Sequence, residues 1–345
     1  MPHQVTIQPS GHQFTVNDNE TILEAALREG FALPYGCRNG ACGSCKGKVL
    51  SGQLDFGTHS PTALKDDEKA QGRALFCRAK PLTDLTIEAK EVGAAKDIIV
   101  KTLPCRVETL EKCADDVMLL KIKLPANERL QFLAGQYIDF QLKGCKARSY
   151  SLANPPHDDA LLELHIRHVP GGLFTDQVFS TLKARDILRL KGPLGSFFIR
   201  EDSDKPMIFV AGGTGFAPIK GMLEHAFAAH LDREMVLYWG VRSLKDLYMA
   251  ALPQQWQAER PNFSFIPVLS DPEQGDNWHG RTGYVHEAVL ADFDDLSGYE
   301  VYACGAPIMV DSARDTFTQT RGLHEDAFFA DSFVYAADAE PAPVA

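Results

Sequence analysis

Four of the eight cysteines are spaced like the ligands of one metal centre. Cys37, Cys42 and Cys45 follow the pattern C-x4-C-x2-C, and Cys77 comes 32 positions after Cys45. Three thiolates on one tight loop, completed by a fourth from a distant element, are the arrangement that holds a [2Fe–2S] cluster. A structural zinc site is the alternative, but zinc motifs more often use two C-x2-C pairs or cysteine with histidine. The spacing therefore predicts a [2Fe–2S] cluster bound by these four cysteines.

The sequence around this loop is rich in glycine. A residue without a Cβ lets backbone N–H groups turn towards sulfur. The glycines concerned are Gly36, Gly40, Gly43 and Gly47. The runs CRNGACGSCKGKVLSG and ALFCRAKPLTDLTIEA resemble plant-type ferredoxins, and this resemblance extends throughout residues 1–90.

The run Arg148-Ser149-Tyr150-Ser151 resembles the R-x-Y-S signature of the ferredoxin–NADP reductase superfamily. The resemblance implies that these four residues bind flavin, with Arg148 on a phosphate, Tyr150 on the isoalloxazine face and Ser151 near N5. A guanidinium fork and a flat phenol ring suit the first two roles. It also implies that His165-Ile166-Arg167 lies on a strand that binds the flavin ring and ribityl region. Gly171-Gly172-Leu173-Phe174-Thr175 would then open a helix whose N-terminus meets the pyrophosphate, and the expected flavin is FAD.

A glycine-rich turn follows directly on the apolar run MIFVA. It consists of Gly212, Gly213, Thr214 and Gly215, and Pro218 is expected to begin a helix after it. Glycines at a strand–helix turn let backbone N–H groups approach a pyrophosphate at the positive end of the helix. The sequence therefore predicts a nicotinamide dinucleotide site at this turn.

Cys304 and Gly305, in the run VYACGAP, resemble the C-G-x-P motif of the same superfamily. The resemblance implies that Cys304 lines the nicotinamide C4 position beside flavin N5. The alternative is a cysteine that is merely buried in a strand.

The preferred coenzyme can be argued from charge. NADP-dependent relatives carry a Ser-Arg pair after the third strand, where this chain has Ser270 and Asp271. An acidic side chain repels a 2′-phosphate and accepts a hydrogen bond from a ribose hydroxyl. Arg242 argues weakly the other way. We therefore expect NADH rather than NADPH as the electron donor.

Composition and charge exclude several classes of protein. The chain has 345 residues, of which 45% are hydrophobic and 23% are charged, as in an ordinary globular protein. The net charge is −1 over residues 1–95, +2 over 96–205 and −12 over 206–345, so a basic surface for nucleic acid is not expected. We recognise no apolar run of membrane-spanning length and no signal peptide, and we expect a cytoplasmic protein with reduced thiols. Three cysteines match no motif and are interpreted as packing or surface residues: Cys105, Cys113 and Cys145.

The pattern of apolar runs predicts a multidomain protein of α/β and β classes. A hairpin around Ser10-Gly11, a helix over residues 21–29 and a closing strand at 84–89 indicate a β-grasp ferredoxin domain in residues 1–91. Residues 92–101 are expected to be a linker. Short strands with one helix near 177–182 indicate an antiparallel FAD-binding β-barrel over 102–203. Alternating strands and helices indicate a parallel α/β NAD-binding domain over 204–335, followed by a disordered tail at 336–345.

The order of the three segments suggests one electron path. A hydride delivers two electrons together, a cluster takes one, and a flavin converts between them. We therefore expect electrons to pass from NADH through FAD and [2Fe–2S] to an external protein, with Tyr150, Ser151 and Cys304 serving the hydride step.

Over nearly its whole length the sequence resembles the CDP-6-deoxy-3,4-glucoseen reductase family, through AGQYIDF, RSYS-x-AN, AGGTGFAP and F-F-A-D-S-F. The resemblance implies an acceptor that is a pyridoxamine-phosphate-dependent sugar dehydrase. Reductase components of aromatic-ring or alkane oxygenases are the main alternative. A non-enzymatic carrier fused to a nucleotide-sensing module is a second, which the flavin and nicotinamide signatures disfavour.

Overall fold

The computed structural model describes residues 2–92, 98–142 and 146–334. The expected tail at 336–345, Cys145 and residues 93–97 of the expected linker lie outside these residues. The chain divides into two compact units. The first consists of Met1–Ile98 with the short segments Gly195–Phe197 and Ala330–Val334; the second contains Ile99–Leu194 and Phe198–Phe329. The predicted flavin and nucleotide domains therefore share one compact unit, and the exact domain boundaries stay predictions.

The first unit is built on a mixed five-stranded sheet with the order β2-β1-β7-β3-β5. Strands β1 and β7 run parallel and the other neighbours run antiparallel. Helix α1 begins after Thr21, whose hydroxyl accepts from the Glu24 N–H while the Glu24 carboxylate accepts from the Thr21 N–H, a reciprocal cap. Helix and sheet bury one apolar core, so the expected β-grasp fold is confirmed. The elements are β1 His3–Gln8, β2 Gln13–Val16, α1 Ile22–Arg28, β3 Lys46–Ser51, β4 Leu54–Asp55, α2 Asp66–Ala70, β5 Arg73–Leu75, β6 Lys80–Pro81 and β7 Leu85–Glu88.

The next part of the chain forms the expected antiparallel barrel. Its six strands have the order β11-β10-β13-β8-β9-β12, and the two edge strands lie beside each other, so the barrel is nearly closed. Apolar residues at alternate strand positions fill its interior. One helix covers an end of this core. The elements are β8 Lys101–Ala114, β9 Val117–Lys123, β10 Tyr137–Phe140, β11 Arg148–Ser151, β12 Leu162–Arg167, α3 Leu173–Ser180 and β13 Ile187–Leu194.

The remaining part is the expected α/β domain. Its sheet has the order β17-β16-β15-β14-β18-β19, in which β14 pairs in parallel with both β15 and β18. The strand order reverses at β14, and ligands of such sheets bind at the carboxyl ends of the strands near that point. The elements are β14 Met207–Gly212, α4 Phe216–Ala228, β15 Met235–Val241, α5 Ala251–Glu259, β16 Phe263–Leu269, β17 Arg281–Thr282, α6 Val285–Asp292, β18 Glu300–Gly305, α7 Pro307–Thr320 and β19 Phe328–Ser332.

Candidate active site and metal centre

The four predicted cluster ligands come together in the first unit as two thiol pairs. Cys37 and Cys42 form one hydrogen-bonded pair, and Cys45 and Cys77 form the other. The Cys37 N–H also donates to Cys42 Sγ over 3.4 Å. Hydrogen bonding within each pair raises the pKa of the Cys42 and Cys45 thiols and lowers that of Cys37 and Cys77.

This arrangement fits a [2Fe–2S] cluster better than a zinc ion. Such a cluster shares its thiolates between two irons, and the pairs Cys37–Cys42 and Cys45–Cys77 divide the four ligands in that way. The loop backbone is specialised for the site, because Gly40 and Gly43 have φ of +82° and +73°. A Cβ on Gly36 would lie 3.2 Å from Cys42 Sγ, where a side chain would crowd the sulfur.

A segment from the far end of the chain supports the cluster loop within the same unit. The Ser44 hydroxyl donates to the Ala330 carbonyl over 2.9 Å. The Asp331 carboxyl lies 3.2 Å from the position of a Cβ on Gly36. Burial raises the pKa of Asp331 to about 8, and the neighbouring Cys42 acts in the same direction. The sequence did not point to Asp331, because only tertiary contact brings it to the loop.

The R-x-Y-S run forms strand β11 at the edge of the barrel. Its register with β10 places Ser149 opposite Asp139, and the Ser149 hydroxyl donates to Asp139 over 2.6 Å. The Tyr150 ring lies 5.6 Å from the Phe174 ring, and burial raises the pKa of its phenol well above the ordinary value. Ser151 is buried and Arg148 is half-buried. A guanidinium, a packed phenol and a serine therefore share one short strand, which is chemistry that suits a flavin.

The turn before helix α3 is built by glycine and threonine. Gly171 has φ +82°, and Gly172 caps the helix. The Thr175 hydroxyl donates to the Val169 carbonyl over 2.9 Å, which closes the turn. The helix begins at Leu173 and ends at Ser180, earlier than the expected 177–182, because this closed turn starts it at once.

The glycine turn of the nucleotide domain lies at the carboxyl ends of β14 and β18. Residues Gly213–Gly215 form one turn of 3-10 helix that leads into α4. Thr214 is buried, and the Trp239 indole N–H holds the Gly213 carbonyl over 2.9 Å. The buried Pro218 lies inside the first turn of α4, which already begins at Phe216.

Cys304 is fully buried at the end of β18, next to this turn. A Cβ on Gly215 would overlap the Cys304 carbonyl, and one on Gly305 would lie 3.0 Å from Gly212 Cα. The two nucleotide motifs, which are some 90 positions apart in the sequence, thus form one cradle that glycine alone allows. The cradle fits a pyrophosphate and nicotinamide.

The proposed coenzyme-selecting residues lie at the ends of β15 and β16. The Ser270 N–H donates to the Val241 carbonyl, and the Asp271 N–H donates to the Arg242 carbonyl over 2.8 Å. Arg242 Nε lies 3.4 Å from Asp271 Oδ2, and both side chains are largely exposed. The structure therefore pairs the two residues whose charges argue for opposite coenzymes.

Strand β12 places its polar side chains against the nucleotide domain rather than against the barrel core. Ile166 is part of the core, whereas the buried His165 bonds to the Tyr248 hydroxyl over 2.9 Å and to Glu163 over 3.1 Å. The Arg167 guanidinium lies 3.4 Å from the position of a Cβ on Gly213. The side chains of His165 and Arg167 are thus grouped with the nucleotide turn, away from the barrel interior.

The protonation of this polar face follows from burial and charge. Burial alone would raise the pKa of Glu163, but the hydrogen bond from His165 and the charges of Lys220 and Lys121 lower it to about 2. Burial lowers the pKa of His165 and raises that of Tyr248. The neutral imidazole therefore donates from Nε2 to Glu163 and accepts at Nδ1 from Tyr248. Sequence reasoning missed Glu163, Lys220 and Tyr248, although a lone lysine in the apolar run FAPIKGML is a signal for the second of them.

Three family comparisons cover most of the chain. Residues 5–82 match the 2Fe-2S iron-sulfur cluster binding domain, residues 104–199 the oxidoreductase FAD-binding domain, and residues 209–315 the oxidoreductase NAD-binding domain. These matches agree with the cluster loop, the R-x-Y-S strand and the glycine cradle. They support a [2Fe–2S] cluster, FAD and a nicotinamide coenzyme as the cofactors.

Full-length relatives show the same combination. The chain is 40% identical to the CDP-6-deoxy-L-threo-D-glycero-4-hexulose-3-dehydrase reductase of Yersinia pestis, over 97% of this chain and 99% of the relative. It is 39% identical to the reductase component of phenol 2-monooxygenase from a Pseudomonas species, over 98% and 96% of the two chains. The crystal structure of the Amycolatopsis cytochrome P450 reductase GcoB matches with a TM-score of 0.76 at 36% identity, covering 96% of this chain and 98% of that one. Within the described residues, no helix is long and apolar enough to cross a membrane. The chain belongs to the iron–sulfur flavoprotein reductases, NAD(P)H-dependent oxidoreductases that join a ferredoxin domain to FAD- and NAD-binding domains.

Proposed function

We propose that this protein is the NADH-dependent reductase of a sugar-nucleotide dehydrase. The observation that carries the proposal is the 40% identity, over almost the full length of both chains, to the dehydrase reductase of Yersinia pestis. A reductase component of an aromatic-ring oxygenase is the second candidate, supported by the 39% identity to the phenol 2-monooxygenase component. Both candidates use the same electron path and differ in the acceptor. Cysteines that bind a metal cluster suit the reducing cytoplasm, where we place the protein.

We assign the flavin to β11 and the turn before α3. Arg148 binds a flavin phosphate, Tyr150 covers the ring, and Ser149 and Ser151 contribute their hydroxyls, while the backbone at Gly171–Thr175 meets the pyrophosphate. When bound, a flavin would supply the conversion between the electron pair of a hydride and the single electrons that a cluster takes. The half-buried Tyr150 and the buried Ser151 exclude water from the reacting edge.

We assign the nicotinamide coenzyme to the cradle of Gly212, Gly213, Thr214, Gly215, Cys304 and Gly305. Cys304 orients the nicotinamide, and Asp271 accepts from the adenosine ribose. Because the Arg167 guanidinium lies against Gly213, it serves the coenzyme pyrophosphate in this assignment. The His165 side chain is hydrogen-bonded to Glu163, and the Ile166 side chain lies in the barrel core. In this assignment both residues therefore contact the flavin through their backbone.

An anaerobic titration with NADH tests the electron path. The purified holoprotein should lose both its flavin and its cluster absorbance as NADH is added. If neither chromophore is bleached, the proposed path is wrong. If the flavin alone is bleached, the cluster does not receive electrons from the flavin.

Reconstitution with defined acceptors tests the partner. The reductase is mixed with NADH and either a purified sugar-nucleotide 3-dehydrase with its substrate or a purified phenol hydroxylase with phenol. Product formation with the dehydrase at a rate well above that with the oxygenase supports the first candidate. The opposite order would assign the protein to the oxygenase systems.

A further inference from the structure

The polar face of β12 is matched, residue by residue, to the glycine turn and the first residues of helix α4. Side chains alternate along a strand, so Leu162, Leu164 and Ile166 fill the barrel core while the intervening residues face outward. On the opposing helix, contacts recur every three or four residues. The matched contacts are Glu163 with Lys220, His165 with Phe216, and Arg167 with Gly213.

Lys220 forms the innermost of these contacts and is only 7% exposed. Its Nζ lies 3.2 Å from Glu163 Oε1 and 3.0 Å from Glu224, and it donates to the Ala153 carbonyl over 3.2 Å. A buried ammonium is stable only when its hydrogen bonds and charge are satisfied, so these oxygens fix where the helix can lie.

The Ala153 carbonyl places this contact beside the flavin strand. Ala153 follows Ser151 by two residues, and its N–H donates to the Glu163 carbonyl over 2.8 Å. The next helix residue, Gly221, approaches the same backbone so closely that a Cβ would lie 3.0 Å from the Asn154 carbonyl oxygen. Lys220 and Gly221 therefore hold α4 directly against the residues that follow the R-x-Y-S run.

The two partners of the hydride step are bound by different domains. The flavin is assigned to β11 and the nicotinamide to the turn that opens α4, so the contact between α4 and residues 153–154 sets their separation. Hydride transfer needs the reacting atoms within about 3–3.5 Å, and a misplacement of about 1 Å can cost roughly 100-fold in rate. We propose that Lys220 is a positioning residue for hydride transfer, which it serves by fixing α4 against the flavin strand. This inference rests on the proposed function.

Lys220→Met tests the inference, with Lys121→Met as the matched control. Lys121 Nζ lies 3.3 Å from the other oxygen of Glu163, and its side chain is 38% exposed, whereas Lys220 is buried. Both variants remove one positive charge beside the same carboxylate. Stopped-flow mixing with NADH gives the flavin reduction rate at saturation and the Kd for NADH. We expect Lys220→Met to slow flavin reduction at least about tenfold with Kd changed less than about twofold, and Lys121→Met to leave both within about twofold.

Gly221→Ala provides a second, purely steric test at the same contact. It keeps the charges and should displace α4 by a few tenths of an ångström, so we expect slower flavin reduction with an increased isotope effect from NADH deuterated at the transferred position. Flavin content and thermal unfolding are measured for all variants. If Lys220→Met does not retain its flavin, the rate of flavin reduction in Gly221→Ala alone tests the inference. Rates within about twofold of wild type in the flavin-loaded variants would overturn the inference. Failure of NADH to reduce the wild-type flavin would instead overturn the proposed function.

Discussion

The carboxylate of Asp271 faces the Arg242 guanidinium at the carboxyl ends of β16 and β15. Their side chains are 70% and 79% exposed, so this ion pair contributes little to stability and its charge is available to a coenzyme. A carboxylate at this point accepts from a ribose hydroxyl and repels a 2′-phosphate. Without it, Arg242 would face the phosphate with no competing carboxylate.

We therefore expect Asp271→Ser to shift the coenzyme preference towards NADPH. The ratio of kcat/KM for NADPH to that for NADH should rise at least about tenfold, because repulsion is removed and a guanidinium–phosphate contact becomes possible. Steady-state reduction of cytochrome c with each coenzyme measures the ratio. The control is Glu273→Gln, which removes a carboxylate from the nearby exposed pair with Lys245. An unchanged ratio in Asp271→Ser would exclude Asp271 from coenzyme selection.

His165 makes the stability of the second unit depend on pH. Burial lowers the pKa of His165, although the hydrogen bond and charge of Glu163 oppose this effect. Below its ordinary pKa of about 6.5, the unfolded chain binds a proton that the native chain does not, so the free energy of unfolding falls as the pH falls. One such proton changes this free energy by at most about 1.4 kcal/mol per pH unit.

His165→Gln should flatten this dependence on pH. We expect the melting temperature of the wild type to fall between about pH 7 and pH 5.5 more steeply than that of the variant, because glutamine does not titrate. Thermal unfolding at several pH values measures both slopes. His279→Gln, at an exposed histidine, should retain the wild-type slope. Equal slopes in wild type and His165→Gln would show that another group causes the dependence.

At the scale of elements, the strand–turn–helix from β14 to α4, to which we assign the coenzyme, can touch β18 because residue 215 is a glycine. A Cβ at this position would overlap the carbonyl group of Cys304, which is backbone and cannot rotate away. Gly275, in contrast, has nothing within 4 Å of its Cβ position. A side chain therefore fits at position 275 but not at position 215.

Gly215→Ala should therefore separate β18 from the turn, whereas Gly275→Ala should be silent. We expect the rate of flavin reduction by NADH to fall at least about 100-fold in Gly215→Ala, because Cys304 and the turn are misplaced. We also expect the free energy of unfolding to fall by about 1–3 kcal/mol, because the added methyl group overpacks the contact. Stopped-flow reduction and denaturant unfolding measure the two effects. Near wild-type flavin reduction in Gly215→Ala would show that the cradle does not bind the coenzyme.

The local sequence pattern predicted the helices and strands well, but it predicted the contacts between distant residues poorly. Helix α1 and strand β7 lie within the expected 21–29 and 84–89, because a capping threonine and alternating residues are local signals. The network of Glu163, His165 and Tyr248 could not be predicted, since its members are up to 85 positions apart and its signal is burial. For the same reason the contact of the Arg167 guanidinium with Gly213 could not be predicted from local pattern.

At the scale of the whole molecule, most of the negative charge lies far along the chain from the segment that holds the cluster ligands. The excess negative charge lies in residues 206–345, with a net charge of −12, while residues 1–95 have a net charge of −1. The ferredoxin domain, from which electrons leave for the acceptor in the proposed path, is therefore nearly neutral. A ferredoxin domain tethered to its reductase needs less long-range steering than a freely diffusing one, so the acidity of the chain as a whole carries little information about the acceptor.

The cluster ligands and the residues assigned to the flavin and coenzyme belong to different compact units. All four cluster ligands belong to the first unit, and every residue assigned to FAD or to the nicotinamide belongs to the second.

Cys77→Ser should therefore remove the cluster while NADH still reduces the flavin. We expect cytochrome c reduction, which requires the cluster, to fall at least about tenfold, and ferricyanide reduction, which the flavin supports directly, to stay within about twofold. Cys105→Ala, at a buried thiol of β8 that is not a ligand, should retain both activities. Loss of ferricyanide reduction in Cys77→Ser alone would mean that the second unit needs an intact cluster domain to hold its flavin. Retention of cytochrome c reduction would mean that electrons leave the protein from the flavin.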